Sequence, residues 1–339
     1  AYAHQNWPAP APQYVLLLGD STYDPKDHWG EADDTAYLPT YLIYTDYKGE
    51  TVTDQWFVTI SGDDAIADMY IGRLPAQSAA DAAAMADKII AYETGLNTGS
   101  WEKNVVLVAD NPTEAYEAVF EAINEQAAAL LPSKMVAKKA YLADYLLSAD
   151  LTTDVTNWIN DGALIVNYSG HGATQIWADE HILEAYSLGG LVNTVELPFF
   201  VSMSCETGVF SYPEPWDFPS LAESLLRSTS GAVAALMPTG MSATEGQRIL
   251  NSALFEHIFN EDVRTLGPAI AAAKQTLLAN GNAYYEQIAA TFLLFGDPAT
   301  ALKIPLPHVP TGVAAKKSKD AVTVRWDPVL DCNNNTMAG

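Results

Sequence analysis

Two apolar runs in this chain end in residues that could break bonds. Ala163-Leu-Ile-Val-Asn-Tyr168 leads into Ser169-Gly170-His171-Gly172, and Pro198-Phe-Phe-Val-Ser-Met-Ser204 leads into Cys205-Glu206-Thr207-Gly208. The histidine and the cysteine stand 34 residues apart, which suits a strand, a crossover and a second parallel strand. Both would then sit at the carboxyl ends of strands, where open α/β sheets build their sites. A thiol with a base beside it is a strong nucleophile, and histidine titrates near neutrality. Gly170 and Gly172 let the backbone turn sharply and approach a substrate. The N–H groups of Gly172 and Cys205 could then face a developing oxyanion. Taken singly, Cys205 could be a buried inert thiol and Gly-His-Gly a plain turn. The pairing of both at strand ends is what points to chemistry.

The rest of the chain reads as the frame for that pair. Tyr14-Val-Leu-Leu-Leu18 and Ala67 to Arg73 are expected strands, and Ser78 caps a helix from Ala79 to about Tyr92. Residues 22–55 are rich in Asp, Tyr, Pro and Gly and read as loops with short strands. Strands are expected at 104–109, 134–141 and 232–237. Helices are expected at 114–131, 152–160, 180–194, 220–227, 246–260 and 266–280. The alternation predicts an α/β fold with a mostly parallel sheet flanked by helices. Three units are expected: an N-terminal α/β subdomain over 1–98, a catalytic subdomain over 99–304, and a tail over 305–339. The tail opens with the proline-rich Ile304-Pro-Leu-Pro-His-Val-Pro310 linker, and Ala321-Val-Thr-Val-Arg-Trp326 then alternates like a β-sandwich strand.

Composition narrows the function. The chain has 339 residues with 42 Asp+Glu against 17 Lys+Arg, a formal net charge of −25. Phosphate backbones need Lys and Arg, so nucleic acid is not an expected partner. No apolar run reaches the ~20 residues of a membrane span. Ala1-Tyr-Ala-His-Gln-Asn6 lacks a basic start and an apolar core, so no signal peptide is read there and the start resembles the interior of a longer protein. Cys205 and Cys332 are the only cysteines, which excludes a disulfide framework and a multi-cysteine zinc site. The acidity reads as a solvated surface, or as structural calcium held by Asp33-Asp34, Asp46, Asp54, Asp63-Asp64 and Asp68. None of these has EF-hand spacing, so ligands are not assigned.

Val166-Asn-Tyr-Ser-Gly-His-Gly172 with Trp177 resembles the histidine segment of gingipain-type cysteine peptidases, and Met203-Ser-Cys-Glu-Thr-Gly-Val-Phe210 resembles their cysteine segment. Tyr14 to Asp20, Tyr70 to Pro75, Lys88 to Glu93 and Leu294 to Pro298 are similar in kind and order, so the likeness runs from about 14 to 302. The resemblance implies a caspase-like α/β fold, often followed by an immunoglobulin-like domain; the tail resembles the start of a fibronectin type III module. It implies a secreted cysteine endopeptidase made as a zymogen, with protein substrates, no catalytic cofactor and frequent structural calcium. Carried over, Cys205 is the nucleophile, His171 the general acid/base, and Gly172 and Cys205 supply the oxyanion hole. Asp110 takes the place of the acid that orients the histidine, with a helix-start cap as the plainer alternative. Glu114 or Glu117 lies near the place of the acid that binds a basic P1 side chain. Ser169, Gly170, Met203 and Ser204 flank the dyad and are expected against substrate. Trp177 and Trp216 are candidate pocket walls, or core and rim residues. Residues Thr239 to Thr244, before Gly246-Gln247, hold no Trp, where some relatives carry an aromatic lid.

Two other readings use the same segments. A sorting transpeptidase would pass the same acyl-enzyme to an amine instead of water. An inactive surface module would keep the fold for binding calcium or a partner.

Overall fold

A computed structural model describes residues 2–28, 30, 38–62, 64–95, 99–212, 218–305, 312–318 and 322–327. The strands are β1 (Tyr14–Leu18), β2 (Tyr41–Thr45), β3 (Gly49–Thr53), β4 (Tyr70–Leu74), β5 (Asn104–Ala109), β6 (Val136–Tyr141) and β7 (Ile165–Ser169). They continue as β8 (Gly172–Ala173), β9 (Ile176–Trp177), β10 (Leu183–Glu184), β11 (Phe199–Met203), β12 (Ala234–Pro238), β13 (Phe292–Phe295), β14 (Ala314–Lys317) and β15 (Val322–Arg325). The helices are α1 (Tyr2–Asn6), α2 (Ala79–Thr94), α3 (Val119–Leu130), α4 (Ser148–Asn160), α5 (Leu221–Arg227), α6 (Thr244–Phe259), α7 (Leu266–Leu278) and α8 (Ala283–Thr291).

Eight strands form one sheet in the order β1-β4-β13-β12-β11-β7-β5-β6. All neighbours are parallel except β12 and β13. Parallel strands covered on both faces read as unbroken apolar runs, and that is the sequence of β5, β7 and β11. Every residue of β7 and β11 is buried. Burying each large apolar side chain there contributes about 1.5–3 kcal/mol, so the two strands that present His171 and Cys205 are anchored in the densest part of the core. The mostly parallel α/β sheet flanked by helices is the architecture the alternation predicted. The expected 1–98 unit contributes β1 and β4 to this same sheet, with β4 meeting β13 at Arg73 and Phe295.

Several elements differ from expectation. The helix expected at 180–194 is absent. In its place β10 joins β9 and β8, which precede it, in a small antiparallel sheet, and a 3-10 turn follows at Ala185–Gly190. Ala178 and His181 sit at φ +57° within the tight turn, a left-handed conformation that ends any helix. His181 is therefore a turn residue, paired with Glu184, rather than a position on a surface helix. The helix expected from 114 begins as a 3-10 turn, Ala115–Ala118, before α3. In the tail, β14 and β15 pair as an exposed hairpin; Cys332 lies outside the described residues.

Candidate active site

The register of the sheet puts the expected dyad together. Met203 pairs with Ser169 at the last rung between β11 and β7, so Cys205 and His171 each stand two residues beyond it. Ala109 of β5 pairs with the same Ser169, which places Asp110 one residue beyond the rung. The ladder runs one step past the strands: Gly170 N donates to Met203 O at 3.2 Å and Asp110 N to Ser169 O at 3.0 Å. Gly172 lies hard against the cysteine segment. A Cβ at 172 would come within 2.9 Å of the Cys205 carbonyl oxygen and of the Ser204 side chain, so only glycine lets the two turns close on each other.

His171 is gripped at its main chain and on its ring. Its N–H donates to Asp110 Oδ2 at 3.0 Å. Its carbonyl accepts from the Tyr168 hydroxyl at 2.6 Å and from Ala178 N at 3.0 Å. Its Nε2 is 2.8 Å from Glu117 Oε1, and Phe120 meets the imidazole edge-on at 5.4 Å. The ring partner is thus Glu117, where the family pattern suggested Asp110. Asp110 is one residue past its strand, and its carboxylate is taken up by main-chain N–H groups. It holds the histidine's backbone and the N–H of Asn111, at 2.9 Å. Burial, first of all, pushes the Asp110 carboxyl up, and these two N–H donors oppose it.

Glu117 reaches the ring because of how its helix starts. Its Oε2 accepts from Thr113 N (2.6 Å), Thr113 Oγ1 (2.8 Å) and Glu114 N (2.8 Å), closing a capping box with Glu114. That leaves Oε1 for the imidazole. Glu117 is only 2% exposed on its side chain, against 55% for His171. The hydrogen bond to His171, ahead of the capping donors, holds the Glu117 carboxyl down at about 2. With Nε2 engaged by a carboxylate, Nδ1 is the nitrogen left for proton transfer. The sequence carried a signal for this: Thr113, Glu114 and Glu117 have capping-box spacing at a helix start.

Cys205 is half-buried and is the free cysteine among the described residues. Burial pushes its thiol up; the Ser242 N–H and Lys48 draw it down, and Glu206 pushes it up. Gln247 ties this neighbourhood together. Its Nε2 donates to the carbonyl of Ser204 at 2.8 Å and to Ser242 Oγ at 2.9 Å. One amide on α6 thereby fixes both the residue before the cysteine and the residue that donates to its sulfur. Neither Gln247 nor Ser242 was among the residues the sequence singled out.

Beside His171 lies a cleft of about 270 Å³ whose walls include Asp110, Thr113, His171, Ala173, Asp179 and Glu180. Three carboxylates line it, with His171 and no Lys or Arg. The other expected substrate contacts fall elsewhere. Ser169, Gly170, Met203 and Ser204 are buried. Trp177 is a core residue, stacked on Tyr168 at 4.4 Å and 10°. Glu114 is an exposed cap outside the cleft. Trp216 lies outside the described residues.

Among the described residues no three His, Cys, Asp or Glu side chains converge on a metal position. Asp54 is held by Arg73 at 2.6 and 2.8 Å. Asp46 engages Gln287, and Asp68 accepts from Ile60 N and Ser61 N. Asp33, Asp34 and Asp63 lie outside the described residues.

The mostly parallel α/β sheet flanked by helices matches the fold of gingipain RgpB. Residues 1–303 match peptidase family C25, and the chain belongs to that family of cysteine endopeptidases. Gingipain R2 of Porphyromonas gingivalis is 25% identical over 301 residues, covering 83% of this chain and 40% of the relative. Lys-gingipain of the same organism is 25% identical over 174 residues, covering 50% of this chain and 10% of the relative. The crystal structure of the Arg-specific cysteine proteinase gingipain R (RGPB) superposes with a TM-score of 0.71 at 21% identity, over 98% of this chain and 76% of that one. The complex of the RgpB pro- and mature domains gives 0.70, over 98% and 78%. The chain spans less than half the length of the curated relatives it matches.

Proposed function

We propose that this chain is a cysteine endopeptidase in which Cys205 and His171 act as a dyad on bonds that follow a basic residue. The observation that carries the reading is the shared register of the two residues beyond the Ser169–Met203 rung, with Gly172 packed on the Cys205 carbonyl. His171 Nδ1 takes the thiol proton as sulfur attacks the peptide carbonyl carbon. The main-chain N–H groups of Gly172 and Cys205 stabilise the oxyanion. The carbon–nitrogen bond breaks as the imidazolium returns that proton to the leaving amine. Water then attacks the thioester, His171 takes its proton, and the acid and the thiol are released. Burial pushes the thiol up, and in this reading its proton passes to His171 during attack.

The acidic cleft supports a cationic P1 side chain. Asp179 and Glu180 stand on its wall beside His171, and a guanidinium or ammonium gains from carboxylates in a partly enclosed site. Gingipain R (RGPB) is described as Arg-specific. The family resemblance also supports action outside the cell and a pro-segment that covers the site, as the solved complex of RgpB pro- and mature domains illustrates. No described helix is long and apolar enough to cross a membrane.

A peptide library with every residue type at P1, read by mass spectrometry, tests this. Cleavage after Arg or Lys that vanishes in Cys205→Ala is expected. Asp179→Asn with Glu180→Gln should raise KM for those peptides about 10-fold. Undiminished cleavage by Cys205→Ala would remove the assignment. An added amine appearing in the products would redirect it to transpeptidation.

A further inference from the structure

Lys48 is 157 residues from Cys205 in sequence yet enters its surroundings. It stands in the turn between β2 and β3, and that turn is braced on α8. Asp46 and Gln287 exchange two hydrogen bonds of 2.9 Å, Tyr47 meets Tyr284 edge-on at 5.2 Å, and Thr53 Oγ1 donates to Ala290 O at 2.6 Å. From this fixed turn the Lys48 ammonium makes two contacts. It is 2.8 Å from Glu206 Oε1 and donates to Thr239 O at 3.1 Å. Glu206 follows the cysteine directly. It adopts φ +60°, which is costly for a residue with a Cβ, and its N–H donates to Gly240 O at 3.0 Å. The pair is 17% and 26% exposed on its side chains, so water screens it less than an open surface pair.

We propose that Lys48 is a positioning residue for Cys205: its ammonium holds the Glu206 carboxylate and the Thr239–Gly240 strand end in one arrangement and offsets the negative charge beside the sulfur. This rests on Cys205 being the nucleophile. The ionisable groups around the sulfur come from four elements. They are Glu206 on its own turn, Lys48 from the hairpin and Tyr284 from α8, whose hydroxyl accepts from Ala243 N at 2.8 Å, joined in the proposed dyad by His171 from the end of β7. Lys48 is the member of the set that pairs with Glu206. Without it, Glu206 faces the thiolate unpaired, and a like charge disfavours ionisation. The N-terminal hairpin thereby contributes to chemistry carried by strands on the other side of the sequence.

The test is the pH dependence of Cys205 alkylation by iodoacetamide, read by mass spectrometry of the Cys205 peptide, with thermal melts confirming folding. Lys48→Met should move the midpoint up by roughly 0.5–1 pH unit, slowing alkylation near neutrality about 3- to 10-fold. Lys48→Met with Glu206→Gln should move it back toward the wild-type midpoint, and Lys48→Arg should keep that midpoint. A merely structural lysine would give no such rescue. An unmoved midpoint in Lys48→Met, or a double variant as displaced as the single one, overturns the proposal. Should Lys48→Met fail to fold, Glu206→Gln alone decides: a lowered midpoint supports the proposal, and a raised or unchanged one overturns it. The thiol titration is read without peptide cleavage. It therefore tests Lys48 separately from the Cys205→Ala assay that tests the nucleophile.

Discussion

Glu117 Oε1 lies 2.8 Å from His171 Nε2, while the carboxylate of Asp110 binds the same histidine's main-chain N–H. Two acids thus serve one base: one sets where its backbone lies, the other how its ring turns. Glu117 can do this because its other oxygen is fixed by Thr113 and Glu114.

Replacing Glu117 by Gln should lower kcat about 10- to 100-fold with little change in KM, since the ring loses its charged partner and its fixed orientation. Glu117→Asp should not restore the rate, because the shorter side chain loses either the cap or the imidazole. Steady-state kinetics on one peptide substrate, beside Asp110→Asn for comparison, decides which acid orients the ring.

Gln247 should matter more than its distance from the substrate suggests. Gln247→Ala removes the donor to Ser204 O and to Ser242 Oγ. A buried acceptor left unpaired costs about 1–3 kcal/mol. Loosening of the Ser242 N–H that supports the thiolate should also slow Cys205 alkylation several-fold at fixed pH. Chemical denaturation and alkylation kinetics measured on the same variant read the two effects separately.

Lys274 sits fully within the core, its ammonium 2.6 Å from Gln55 Oε1, and burial lowers it to about 7. An unfolded lysine holds its proton to about pH 10.4. Between these values the unfolded chain binds more protons than the folded one, so this residue makes stability rise with pH from about 7 to about 10. Lys274→Met removes that dependence. The stability of the variant relative to wild type should therefore fall steadily as pH increases across that window, and urea denaturation at pH 7, 8.5 and 10 measures it. A difference that is flat with pH would mean the ammonium stays charged in the core.

Many strands were legible as apolar runs between turn signals, although β13 (Phe292–Phe295) and α8 before it were not among the expected elements. Asn104 to Ala109, Ile165 to Ser169 and Phe199 to Met203 are buried on both faces, and such strands announce themselves through composition alone. The segment 180–194 was not legible. Its Ala, Leu and Glu content reads as helix, but the turn at Ala178 to His181 folds it into short ribbons against the end of β7. Local preference there yields to the need to hold His171 O through Ala178 N. Trp177 was left open for a related reason: one aromatic next to a catalytic segment can line a pocket or fill the core, and only its stacking on Tyr168 decides.

By itself the sequence determined the family, the parallel α/β sheet, and the two residues that stand where chemistry would occur, because strand ends, glycines and spacing are local properties. Tertiary structure decided what surrounds them. Whether Asp110 or Glu117 reaches the imidazole depends on a helix start folding back over the sheet. Whether a lysine stands beside the cysteine depends on a hairpin 157 residues away docking on α8. These are matters of reach in space, which residue order alone does not encode.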